Sequence, residues 1–186
     1  MTESEESALI RRCQAGDKDA FRSLVENYKK VLFGTAYLMT RDRGLAEDAV
    51  QEALVKIWTH LPSLHLRSSL KAWIVRILVN ELNQQRRKKR LPTVSLEYAP
   101  DIADDCDGVE TAMIRDEEHR FLRRALETLP SEQREAVILR YFSDLTVPEV
   151  AKVMGRREGT IKSRLSRALE RLGKTLRNDE ICEGRG

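Results

Sequence analysis

Residues 146–172, TVPEVAKVMGRREGTIKSRLSRALERL, constrain the fold more than any other stretch of the chain. Thr146-Val147-Pro148-Glu149 combines a capping box with an early proline, which is a helix start. The helix is short, because Gly155 supplies a turn soon after it. A longer helix then runs from roughly Arg157 to Leu176. This order predicts a helix-turn-helix. Ala151 is small where the two helices must cross, and Val150, Met154, Ile161 and Leu165 supply the packing faces. The second helix carries Lys162, Ser163, Arg164, Arg167, Arg171 and Lys174, opposed only by Glu158 and Glu170. Arginine and lysine suit both phosphate oxygens and guanine edges, and serine can donate or accept.

The rest of the chain continues in helical periods. Asp17 or Asp19 can cap a long helix reaching about Met39, with Phe21, Leu24, Val25, Tyr28, Val31, Leu32 and Thr35/Ala36 at helical spacing. After a turn at Arg41-Asp42-Arg43-Gly44, a second helix places Ala46, Ala49, Val50, Ala53, Leu54, Ile57, Trp58 and Leu61 on one stripe. Glu47, Asp48, Gln51, Glu52 and Lys56 lie opposite, and Pro62 ends it. A third helix starts near Ser68 or Ser69 and runs toward Arg90. Leu70, Trp73, Ile74, Ile77, Leu78 and Leu82 form its apolar side, and Lys71, Arg76, Asn80, Asn83 and Arg87 its polar side. A further helix precedes Leu129-Pro130, and Ser131 can cap another. The expected fold is all-α: two small helical domains joined by a flexible acidic linker, the second containing the helix-turn-helix.

Charge supports that division. The net charge of +3 hides strong segregation. Residues 66–90 carry 8 basic and 1 acidic side chain, residues 91–118 carry 1 and 9, and residues 119–186 carry 15 and 10. Two basic blocks around an acidic one point to a polyanion gripped at two places. The linker, LPTVSLEYAPDIADDCDGVETA, has too few apolar residues to fold alone. In contrast to both basic blocks, the face Glu47, Asp48, Gln51, Glu52 would be repelled by nucleic acid and should meet a protein. Cys13, Cys106 and Cys182 are isolated, with no CxxC pair and no metal-ligand spacing. His60, His65 and His119 form no catalytic or metal constellation with the carboxylates, so neither an enzyme nor a bound cofactor is expected. The start MTESEESALIRR has no apolar leader core, and no stretch approaches the ~20 residues of a membrane span. A soluble cytoplasmic protein is expected.

AEDAVQEALVKIW, then LKAWIVRILVN, an acidic break, LPSEQREAVILRYFSDLTVPEVAKVMG and GTIKSRLSRALERL occur in this order. Together they closely resemble extracytoplasmic-function (ECF) sigma factors, the small two-domain members of the bacterial sigma-70 family. The resemblance spans roughly residues 8–177. It implies a promoter-specificity subunit of bacterial RNA polymerase. By position, docking on core RNA polymerase falls to Asp48, Gln51 and Glu52, with Trp58 nearby. Capture of the melted −10 element falls to His65, Arg67, Ser68 and Ser69, then Lys71, Arg76, Asn80 and Asn83. Reading of the −35 element falls to Thr160, Lys162, Ser163, Arg164 and Arg167. The implied division is a region 2-like domain over 1–91, a linker over 92–112 that threads toward the RNA exit path, a region 4-like domain over 113–178, and a tail over 179–186. Promoter DNA and an anti-sigma factor are the further partners the resemblance implies. The rival reading is a free-standing helix-turn-helix regulator that binds an operator as a dimer.

Overall fold

The computed structural model describes residues 3–64, 69–90 and 122–183. The linker over 92–112 and the site candidates His65, Arg67 and Ser68 lie outside these residues. The first four helices are α1 (Glu3–Gln14), α2 (Lys18–Thr40), α3 (Arg43–His60) and α4 (Leu70–Arg90), with a 3-10 turn at Leu61–Ser63. Helix α5 covers 122–127. Helix α6 (Ser131–Val137) runs into a π-turn at Ile138–Phe142, followed by α7 (Val147–Met154) and α8 (Glu158–Glu183). Among the described residues there is no strand.

Local chemistry sets the boundaries. Of the two candidate caps for α2, Asp17 serves, accepting from the Asp19 and Ala20 amides at 3.0 Å each. The helix ends at Arg41, which takes the left-handed conformation (φ 59°). Asp42 then caps α3 through the Leu45 amide. Ser69 caps α4 by accepting from the Ala72 amide at 3.2 Å. The expected cap at Ser131 is not made: Ser131 is the first residue of α6, and the Pro130 carbonyl accepts from Gln133 and Arg134 instead. Ser131 is already helical, one residue past the capping position, and Pro130, which holds that position, has no side-chain acceptor. Thr146 and Glu149 form the anticipated capping box, and Gly155 makes the anticipated turn, in the left-handed conformation at φ 61°. Helix α8 continues to Glu183, through much of the segment read as a tail.

One helix escapes the sequence reading. The acidic start forms α1, which buries Ile10 and Cys13 against the bundle. The Tyr28 hydroxyl donates to Glu6 at 2.9 Å, and Gln14 donates to the Leu61 and Leu64 carbonyls. Helices α2, α3 and α4 pack together through the predicted stripes. Ala46, Ala49 and Ala53 are fully buried and let α2 and α3 approach closely. Trp58 packs edge-on against Phe21, with ring centroids 4.9 Å apart.

The two domains are not independent beads. Helix α7 packs on α4, the π-turn packs on α2, and buried residues of both halves join one apolar cluster.

Candidate partner and nucleic-acid interfaces

Helix α3 turns its alanine stripe inward, so its acidic positions face out by periodicity alone. Asp48, Gln51 and Glu52 are all exposed, as expected. Val55, one turn further on the same face, is 63% exposed. A large apolar side chain set among carboxylates favours a protein partner over solvent, though single exposed apolar residues are common. Trp58, in contrast, is partly buried against Phe21 and contributes mainly to α2–α3 packing.

The face extends further than the sequence reading suggests. Asp48, Gln51, Glu52 and Lys56 line a cleft with Glu81, Gln84 and Gln85 of α4. Lys56 Nζ donates to Glu81 Oε1 at 2.6 Å, which pins α3 to α4 and satisfies an otherwise buried carboxylate. The signal is present in the chain: Glu81, Gln84 and Gln85 recur at i, i+3, i+4 in VNELNQQRR. The basic run that follows masks it.

On α4, Arg76, Asn80 and Arg87 are exposed and Asn83 is half-buried. These residues recur at helical spacing and form a polar track along one side. Lys71 and Ser69, at the start of the helix, are engaged by the second domain. Lys71 Nζ donates to Asp144 Oδ2 at 3.0 Å, and Ser69 Oγ donates to Glu149 Oε1. The Lys71 ammonium holds the Asp144 carboxyl below its ordinary value. Burial pushes Glu149 upward, but hydrogen bonds from Ser69 and Thr146 outweigh it and leave the carboxyl lowered.

On α8, Lys162, Ser163 and Arg167 are exposed on one side of the helix, and Thr160 is half-buried at its first turn. Arg164 is different. Its side chain is only 14% exposed and its guanidinium pairs with Glu132 of α6. The structure therefore separates Arg164 from the other four and uses it to fasten α8 to α6. Lys152, Arg156 and Arg157 join Pro148, Gly155 and Thr160 around an open groove at the N-terminal end of α8. Sequence reasoning gives these basic residues no binding role. The pair in GRREG carries the signal, since both arginines precede the helix by one or two residues.

Known proteins resemble the chain along most of its length. Residues 24–91 match the sequence model for sigma-70 region 2, and residues 120–172 match that for sigma-70 region 4. The RNA polymerase sigma-H factor of Pseudomonas aeruginosa is 32% identical over 185 residues, covering 95% of this chain and 96% of that one. The ECF RNA polymerase sigma factor SigM of Mycobacterium tuberculosis is 34% identical, covering 94% and 86% respectively. Among solved structures, the sigma factor RpoE of Bartonella quintana, in complex with the anti-sigma factor NepR, superposes with a TM-score of 0.66 at 31% identity over 84% of this chain and 96% of that one. CnrH, in complex with the cytosolic domain of CnrY, gives 0.69 over 92% and 97% at 23% identity, a likeness of fold.

Proposed function

The chain belongs to the sigma-70 family, among its extracytoplasmic-function members, and on that premise we propose how its two domains divide the work of starting transcription. The protein is an RNA polymerase sigma factor, which binds core polymerase and directs promoter recognition. In our reading, Asp48, Gln51 and Glu52 dock it on core polymerase, with Glu81, Gln84 and Gln85 completing that face and Trp58 stiffening it from behind. Ser69, Lys71, Arg76, Asn80 and Asn83 receive the melted −10 strand, and Lys162, Ser163 and Arg167 read the −35 duplex. Arg164 orients the recognition helix.

The single observation that carries this division is the segregation of side chains. One exposed face of the first domain is acidic, its neighbouring helix is basic and amide-bearing, and the exposed side of α8 is basic. Holding an unstacked base costs a few kcal/mol, which amide hydrogen bonds and phosphate contacts must offset. Duplex reading asks only for a helix seated in a groove. The chain carries no chemistry of its own in this scheme; bond formation belongs to the polymerase. It acts in the cytoplasm, where polymerase and promoter are. Among the described residues no helix is long and apolar enough to cross a membrane. An anti-sigma factor is a further expected partner, since the Bartonella relative was solved with one.

Run-off transcription with purified core polymerase over a library of promoter sequences tests the reading. Start sites that appear only when the protein is added, on templates sharing two spaced elements, are expected. Tight binding of an operator by the protein alone, without any start-site selection, would instead establish the free-standing regulator.

A further inference from the structure

We propose that Gln14 is a positioning residue for −10 strand capture: its side-chain amide holds the Leu61 and Leu64 carbonyls and so aims the chain as it leaves α3. The proposal rests on the promoter-recognition reading above and adds to it a residue that touches no DNA.

The amide uses both of its hydrogens. Gln14 Nε2 donates to the Leu61 carbonyl at 3.2 Å and to the Leu64 carbonyl at 3.0 Å, across 47 and 50 residues of sequence. Two acceptors three residues apart cannot both keep these bonds if the stretch between them turns. Among neutral side chains only an amide offers two N–H donors from one nitrogen.

Local chemistry leaves unfinished the turn that Gln14 grips. Pro62 stops α3 from continuing, and the last carbonyls of a helix lack intrahelical partners. Nearby groups serve the earlier ones. His60 Nδ1 lies 2.7 Å from the Lys56 carbonyl, and the Ser63 hydroxyl donates to the His60 carbonyl. The Leu64 amide closes back on the Leu61 carbonyl at 3.1 Å. Leu61 is fully buried, which fixes the start of the turn. Leu64 is extended, with φ −71° and ψ 114°, and its carbonyl meets a donor from another helix.

That donor has a rigid base. Gln14 is the last residue of α1, next to Cys13 and one turn from Ile10, both buried. Arg12 donates twice to Asp17 Oδ2, at 2.9 and 2.7 Å, and the same carboxylate caps α2. The bond from Tyr28 to Glu6 ties the other end of α1 to α2. Helix α1 is therefore fastened to α2 at both ends, and Gln14 carries that fixture across to the end of α3. All of these contacts lie within the first domain. Recognition groups need such support from neighbouring elements, because specific contact tolerates only about half an ångström of misplacement.

The position of Leu64 in the chain gives the grip its purpose. His65, Arg67 and Ser68, which carry the strand-capture role by position, come next and lie outside the described residues. Ser69, fixed as the cap of α4, follows them. A connection of four residues starts in the direction its stem gives it, and Gln14 sets that direction.

The test uses the full-length protein assembled with core polymerase. Its probe is a single-stranded DNA oligonucleotide bearing the −10 non-template sequence of a promoter found in the run-off library. Gln14→Met keeps the length of the side chain and removes both donors. It is expected to weaken oligonucleotide binding about tenfold, which is what two neutral hydrogen bonds commonly contribute. Core binding and the fraction of active complexes should not change, and preference for matched over scrambled DNA should fall with affinity. Gln14→Glu, of the same shape but with no hydrogen to give at neutral pH, should lose at least as much. Tyr28→Phe is the matched control: it cuts the Glu6 bond and loosens α1 elsewhere, and should leave oligonucleotide affinity unchanged. Parent affinity in either Gln14 variant would overturn the proposal. An equal loss in Tyr28→Phe, or failure of both Gln14 variants to assemble with core polymerase, would make Gln14 a support of the fold alone and overturn it too. Parent complexes that do not distinguish matched from scrambled DNA would instead sink the strand-capture reading.

Discussion

Helices α3 and α4 lie side by side in one domain, yet their functional surfaces are in opposite states. The carboxylates of Asp48 and Glu52 on α3 face water. The first polar groups of α4, Ser69 and Lys71, are already matched by acceptors from the second domain. The difference lies in what each surface needs. An acidic patch aimed at a protein gains nothing from being covered. A cationic patch aimed at nucleic acid attracts any polyanion in the cell, since phosphate binding is largely indifferent to sequence. Here carboxylates of the second domain cover its first residues.

The largest effect should come from the open surface. Asp48→Lys with Glu52→Lys reverses the charge of the docking face and is expected to weaken association with core polymerase by at least a hundredfold. Like-charge juxtaposition at an interface costs several kcal/mol. Because both residues are exposed and face away from the core, the melting temperature should stay within a few degrees of the parent. Undiminished co-purification with core polymerase would remove α3 from the docking role and break the comparison at its first term.

A smaller effect belongs to the recognition helix, which is neither covered like Lys71 nor acidic like α3. Lys162→Ala with Arg167→Ala should reduce transcription from −35-dependent promoters by roughly 10–100-fold, since each truncated side chain removes about 1–3 kcal/mol of binding. Core binding should be unchanged. If either residue touches phosphate, the salt dependence of promoter binding should flatten by about one log unit for each such residue. Arg164→Ala sharpens the point. Its partner is Glu132 rather than solvent, so its removal should lower thermal stability along with activity, whereas the Lys162/Arg167 variant should keep its melting temperature.

Much of this is legible in the chain itself, and for identifiable reasons. The capping box at Thr146, the turn at Gly155 and the caps at Asp17 and Ser69 are local signals, each settled within four residues of sequence. The apolar stripes of α2 to α4 are periodic, and periodicity needs no partner to be read. What stays hidden is non-local. Nothing near Gly34 marks it as a seat for Phe142, and nothing near Thr35 announces Ser143 across 108 residues. Arg164 reads as a DNA contact beside Lys162 and Arg167, and only the position of α6 turns it inward. Helix α1 escapes notice because its acidic surface outweighs the two residues, Ile10 and Cys13, that it buries.

The smallest expected effect probes the covered surface through proton linkage. The interdomain contacts hold both carboxyls down: Lys71 lowers Asp144, and Ser69 lowers Glu149 together with Thr146 of its own domain. A carboxylate with a depressed value in one state favours that state only while ionised. The contact between the domains should therefore have its full electrostatic advantage while both carboxyls are ionised and lose it as pH falls through their depressed values. The groups facing them are Lys71, which reaches both, and Arg140 near Asp144. Both are basic side chains, so acid acts on the carboxyl side of the contact. Dyes at Lys30→Cys and Arg171→Cys should show the open fraction rising by about twofold or more near pH 4, before helical circular dichroism declines. Asp144→Asn, which lacks the charge at every pH, should begin more open at pH 7 and respond less to acid. An interdomain distance that holds constant until the helices themselves melt would show that shape, at Gly34 and Phe142, closes the molecule without help from charge.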